Sequence, residues 1–159
     1  MKAKVYIETS VVSYYTARPS RDVVVAGHQR STEEFWNRLG TDFEPFVSAL
    51  VWKEVGKGDP SQAERRIDSI RSFSSIEIDE VSQRLAQKVL DAGGVPTEFP
   101  EDALHIALAT MGGVDFLVTW NFTHINNPFT RMMIRHAVEN EGYVCPEIVS
   151  PEEMIGERE

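Results

Sequence analysis

Glu8, Glu54, Asp102 and Asn121 are the residues whose types and settings point to chemistry. Glu8 ends the strand-like run Val5-Tyr6-Ile7. Glu54 stands four residues after Leu50 and three after Val51, so on a helix it shares their inward face. A carboxylate on an apolar stripe is costly unless it is paired or ligates a cation. Asp102 lies in the first turn of a helix opened by Pro100, where an acid also complements the positive helix end. From Ala103 to Ala109 every residue except His105 is apolar, so this helix is expected to be buried nearly all round. His105 is three residues after Asp102 and shares its face; taken alone it reads as a satisfied core histidine. Asn121 follows the apolar run Phe116 to Val118 and Thr119, and by itself is a turn residue.

Each of these residues alone has a structural explanation. Together, three carboxylates and an amide project from strand ends and adjoining helix starts. Two ionised carboxylates about 5 Å apart repel by roughly 3 kcal/mol at an effective dielectric of about 20. Several such pairs force protonation or admit a cation. All-oxygen ligands favour Mg²⁺ or Mn²⁺ over zinc or copper.

The elements that must position these groups alternate between strand and helix. Strands are predicted at Val5–Ile7, Phe43–Ser48, Ile76–Ile78, Phe116–Thr119 and Ile148–Val149. Helices are predicted from Val11 (capped by Thr9 and Ser10), over Asp22–Leu39, Ala49–Lys57, Gln62–Phe73, Val81–Ala92, Pro100–Met111 and Pro128–Asn140. Alternation of this kind implies a mostly parallel sheet covered on both faces. Ligands of such sheets sit beyond the carboxyl ends of the strands.

A chain of 159 residues fits one domain, spanning 1–159, and can bury a core without disulfides or structural metal. Cys145 is the only cysteine, which excludes an intrachain disulfide framework and a cysteine zinc cluster and suits a reducing cytoplasm. The N-terminus lacks the long apolar region of a signal peptide, and no stretch is apolar enough to span a bilayer. The net charge of −9 opposes loose, non-specific phosphate binding but leaves room for a local site. There is neither a Gly-rich dinucleotide fingerprint nor a P-loop. A phosphatase on a doubly wound sheet would want an aspartate nucleophile where Glu8 stands.

These residues also carry a family resemblance. Val5-Tyr6-Ile7-Glu8-Thr9-Ser10-Val11-Val12-Ser13 resembles the first strand of the PIN-domain superfamily, specifically its VapC-like toxins, with Glu8 where most members have Asp. Phe46-Val47-Ser48 followed by Glu54, then Asp102-Ala103-Leu104-His105-Ile106-Ala107, then Thr119-x-Asn121, resemble the next acidic and polar positions in order. Tyr14 through Asp22, around Arg18-Pro19-Ser20-Arg21, resembles one bacterial subgroup. The similarity covers nearly the whole chain. It implies a three-layer α/β/α PIN-like fold and metal-dependent phosphodiester hydrolysis of single-stranded RNA by the toxin of a toxin–antitoxin pair. Under it, Glu8 and Asp102 ligate Mg²⁺ (Mn²⁺ being the alternative), while Glu54 and Asn121 complete the shell. Thr9, Ser10 and Arg18 contact the RNA, with Arg21 beside them. Arg131 and Arg135, four residues apart, read as a solvated helix face or a second phosphate contact. The resemblance further implies a small inhibitory antitoxin and a homodimer, and no membrane association. The rival expectation is a non-catalytic PIN-like module that binds RNA or protein.

Overall fold

The structure is a computed structural model and describes residues 1–156. Five strands form its sheet: β1 (Ala3–Ile7), β2 (Phe43–Ser48), β3 (Ser74–Ile76), β4 (Phe116–Val118) and β5 (Glu147–Val149). Their order is β3-β2-β1-β4-β5, and every pairing is parallel. The helices are α1 (Thr9–Thr16), α2 (Val23–Trp36), α3 (Ala49–Val55), α4 (Pro60–Ser69), α5 (Glu80–Asp91), α6 (Pro100–Met111), α7 (Pro128–Asn140) and α8 (Pro151–Met154).

Parallel neighbours require crossovers, and right-handed crossovers decide the layers. The chain leaves β1 in one direction through β2 to β3, then returns past β1 to β4 and β5. Helices α1 to α4 therefore share one face and α5 to α7 the other. The packing agrees: α1 contacts α2, α3 and α4, while α5 contacts α6 and α7. The result is the three-layer α/β/α arrangement with an all-parallel sheet.

Burial on both faces explains the apolar central strands. Val5, Tyr6, Ile7, Leu117 and Val118 are fully buried. Helix α6 is buried at Ala103 and at every residue from His105 to Thr110, which matches its unbroken apolar sequence.

Several element boundaries differ from the sequence pattern, each for a local reason. Helix α1 starts at Thr9 because Glu8, rather than Thr9 or Ser10, is the cap; its carboxylate accepts from the Ser10 amide. Helix α4 starts at Pro60 because Asp59 caps it and proline suits the first helical position. Helix α2 stops at Trp36, and Gly40 turns the chain with φ of 87°. Strand β3 lies at Ser74–Ile76, where Phe46–Ser48 offers partners, and not at Ile76–Ile78. The short α8, capped by Ser150, has no counterpart in the sequence reading.

Leu117 sits in the middle of β4 with no exposed surface. Leu117→Ala is expected to cost about 2–5 kcal/mol of stability, read from urea unfolding midpoints at unchanged slope.

Candidate metal centre

Strand order reverses between β1 and β4, and the crevice beyond their carboxyl ends is where the sheet exposes a binding site. Glu8 stands at the end of β1, and its amide still pairs with the carbonyl of Val118 on β4. Alternation along the strand sends Glu8 and Tyr6 to the same side. That side is occupied by α6, and His105 on α6 meets both residues.

Glu8 is 6% exposed. Its carboxylate accepts from the Ser10 amide at 3.0 Å and from the hydroxyls of Ser10 and Thr119. Glu54 reaches the same place from α3, which begins directly where β2 ends. Its Oε1 accepts from the Thr9 hydroxyl at 2.6 Å and pairs with His105 Nε2 at 2.6 Å. His105 Nε2 also lies 4.0 Å from Glu8 Oε2. One ligand-capable atom from each of Glu8, Glu54 and His105 lies within 4.8 Å of the others.

Asp102 stands apart from that tight group. Its Oδ2 pairs with His124 Nδ1 at 3.0 Å, and the His124 ring stacks on Phe99 at 3.9 Å between centroids. Asp102 is nonetheless close enough to feel the charge of Glu8. The Asn121 side-chain oxygen accepts from the His124 backbone N–H, and the Asn121 backbone N–H donates to Thr119 Oγ1. It thus shapes the turn that carries His124 back to Asp102. The hydroxyls of Thr9 and Ser10 are engaged with Glu54 and Glu8. Arg18 lies in the exposed loop after α1, where its carbonyl accepts from Gln29; no ion pair ties its guanidinium to the acids among the described residues. Arg131 donates to the buried Asn126, and Arg135 pairs with Glu139 and Glu147.

The electrostatics follow from these contacts. Burial raises the Glu54 carboxyl, but the His105 hydrogen bond and charge, with the Thr9 hydroxyl, outweigh it and hold the group below its ordinary value. Burial pushes Asp102 up and the nearby Glu8 charge adds to this, against the His124 hydrogen bond. Burial disfavours charge on His105, yet its bond to Glu54 and the charges of Glu8, Glu54 and Asp102 raise it. Tyr6, fully buried, stays a neutral phenol.

The donor set suits a hard divalent cation. An ionised carboxylate offers about four lone-pair positions. Three donors reach Glu8, two reach Glu54 on Oε1 alone, and one reaches Asp102. Carboxylate oxygens therefore remain available, and no lysine or arginine forms an ion pair with these acids among the described residues.

Five participants were not singled out from sequence: Tyr6, Ser48, Thr119, His124 and Asn126. Tyr6 carried a usable signal, because it lies two residues before Glu8 on a strand. His105 is a satisfied buried histidine and also part of the acidic cluster; the two readings coincide. His124 had no signal, since only the turn at Asn121 brings it to Asp102.

Fold and crevice together describe a PIN-like three-layer domain architecture with acids gathered at the topological switch point. The chain is similar in structure to a chain of the VapBC2 complex of Rickettsia felis, solved bound to a DNA fragment from their promoter. The TM-score is 0.58 at 13% sequence identity, over 92% of this chain and 98% of that one. At this identity the likeness is one of fold. No protein-family model matches the sequence, and no curated protein matches it either. No helix among the described residues is long and apolar enough to cross a membrane.

The Glu54 carboxyl is held below its ordinary 4.5 in the folded state, so its contribution is complete above that pH and is lost as pH falls through the lower folded value. The gap in melting temperature between the native protein and Glu54→Gln is expected to be widest near neutrality and to shrink below pH 4.5.

Proposed function

We propose that this protein is a divalent-metal-dependent endoribonuclease acting on single-stranded RNA, and the toxin of a toxin–antitoxin pair. One observation carries the reading. Ligand-capable atoms of the buried Glu8 after β1, the half-buried Glu54 on α3 and the buried His105 on α6 converge to within 4.8 Å at the switch point of a PIN-like sheet.

In this reading Glu8 and Asp102 hold one Mg²⁺ or Mn²⁺, and Glu54 and Asn121 complete the surroundings through water. When bound, such an ion lowers the pKa of an attacking water and neutralises charge growing on the phosphate. The chain supplies the rest. Thr9, Ser10 and Thr119 donate to the carboxylates and hold them in place. His124 fixes the rotamer of Asp102 through Oδ2 and leaves Oδ1 for the cation. Phe99, stacked on His124, steadies that ring against Asp102. Arg18 extends from the loop after α1 as a phosphate contact, a placement its exposure permits. A small antitoxin covering the acids and a homodimer complete the proposed assembly. The Rickettsia protein, described as part of a VapBC2 complex, supports the partner by analogy of fold.

A second reading, a non-catalytic PIN-like module that binds RNA or protein, is favoured by one feature. Glu8 already receives three hydrogen bonds from the chain, which satisfy much of its charge without a cation. Calorimetric titration with Mn²⁺ separates the two readings: no heat at millimolar metal favours the second.

Asp102→Asn is expected to abolish Mg²⁺-dependent cleavage of single-stranded RNA while leaving the fold intact; full activity in that variant sinks the nuclease assignment. Arg18→Ala is expected to flatten the dependence of log binding constant on log salt by about 0.7, the value for one lost phosphate contact on a single strand. An unchanged slope would remove Arg18 from the RNA path.

A further inference from the structure

Behind Glu54 lies a continuous chain of buried polar groups that the proposed chemistry does not use. Ser48 Oγ meets the Tyr6 hydroxyl at 2.8 Å, Tyr6 meets His105 Nδ1 at 2.7 Å, and His105 Nε2 meets Glu54 Oε1 at 2.6 Å. Ser48 and Tyr6 have no exposed surface and His105 has 1%. Water therefore cannot replace a missing partner. Among the described residues, no buried side-chain nitrogen or oxygen lacks one.

The hydrogens in this chain can be counted. Ser48 Oγ accepts from the Val51 amide as the cap of α3 and makes its other contact with Tyr6, so its own hydrogen goes to the Tyr6 oxygen. The Tyr6 hydrogen is then left for His105 Nδ1, which must accept it. A neutral ring that accepts at Nδ1 carries its hydrogen at Nε2, and that hydrogen points at Glu54 Oε1. Reversing any link leaves a buried hydroxyl hydrogen without an acceptor, at a cost of about 1–3 kcal/mol.

We propose that Tyr6 is a positioning residue for the metal centre, selecting the His105 tautomer that clamps Glu54 Oε1 and so turns the second carboxylate oxygen to the water shell of the cation. The assignment rests on the metal-centre reading above and extends it two side chains into the core. Thr9 donates to the same Oε1 from the other side, and no donor reaches Oε2 among the described residues. Both constraints on Glu54 therefore act on one oxygen and leave the other open. The Tyr6 and His105 rings meet edge-on with centroids 5.9 Å apart, so packing as well as hydrogen bonding fixes the ring plane. Outer-shell groups that orient the surroundings of a bound metal are worth about 10–100-fold in metal affinity.

Two measurements test this. Calorimetric titration with Mn²⁺ compares the native protein with Tyr6→Phe, which keeps the ring and removes the hydroxyl. A loss of about tenfold or more in affinity, with a cooperative melt retained, is the expected result. Binding by the native protein with unchanged affinity in Tyr6→Phe overturns the positioning role and leaves the metal centre standing. Absence of Mn²⁺ binding by the native protein overturns both. The second measurement needs no variant and covers the case in which Tyr6→Phe does not fold. Long-range proton–nitrogen NMR of the native, metal-free protein reports the His105 tautomer. At a pH where the ring is neutral, a hydrogen on Nε2 and an unprotonated Nδ1 are expected; a neutral ring with its hydrogen on Nδ1 overturns the proposal.

Discussion

Placing several carboxylates at the carboxyl ends of a parallel sheet is the constraint around which this structure is organised. Ionised groups a few ångströms apart in a partly dry crevice repel one another and are poorly solvated. The chain answers with five donors drawn from three segments: the start of α1, helix α6 and the turn after β4. Ser10 and Thr119 serve Glu8, Thr9 and His105 serve Glu54, and His124 serves Asp102. None of these donors is a lysine or arginine. The compensation is therefore partial by design of charge: hydroxyls and imidazoles satisfy lone pairs but leave the site able to attract a cation.

The topology makes that gathering possible. Because β1 lies at the centre of the sheet with β2 and β4 on its two sides, its carboxyl end is approached from both halves of the chain. Helix α3 follows β2 and brings Glu54; the turn after β4 brings Thr119, Asn121 and His124. Helix α6 packs behind and contributes both Asp102 and His105 from one face, three residues apart. Glu8 has a double duty as the cap of α1 and as the most buried acid of the group. Its side chain could not be moved to suit a cation without also disturbing the start of that helix.

The distribution of the positive charge is equally informative. Arg131 and Arg135 look in sequence like a free basic pair. In the structure they are engaged with Asn126, Glu139 and Glu147. The short basic loop containing Arg18 and Arg21 follows α1, at the opposite end of that helix from Glu8. With a net charge of −9, positive charge on this chain is available to a polyanion only locally.

Much of this was legible in the sequence, for definite reasons. Period-two and period-3.6 patterns located nearly every strand and helix, and alternation implied the parallel sheet that the structure shows. The conflict between polarity and an apolar setting singled out Glu54, and the apolar run after Asp102 marked α6 as central. Boundaries failed where a side chain rather than a propensity decided them, as with Glu8 capping α1 and Asp59 capping α4.

By itself, then, the sequence determined which elements form and which acids are out of place among apolar neighbours, because both depend on spacing along the chain. Only the tertiary structure decided that Glu8 and Glu54 meet over His105, that Asp102 pairs with His124 beside them, and that Tyr6 and Ser48 stand behind them. Those partners are separated by tens of residues, and no local pattern encodes which donor will face which oxygen once the sheet closes.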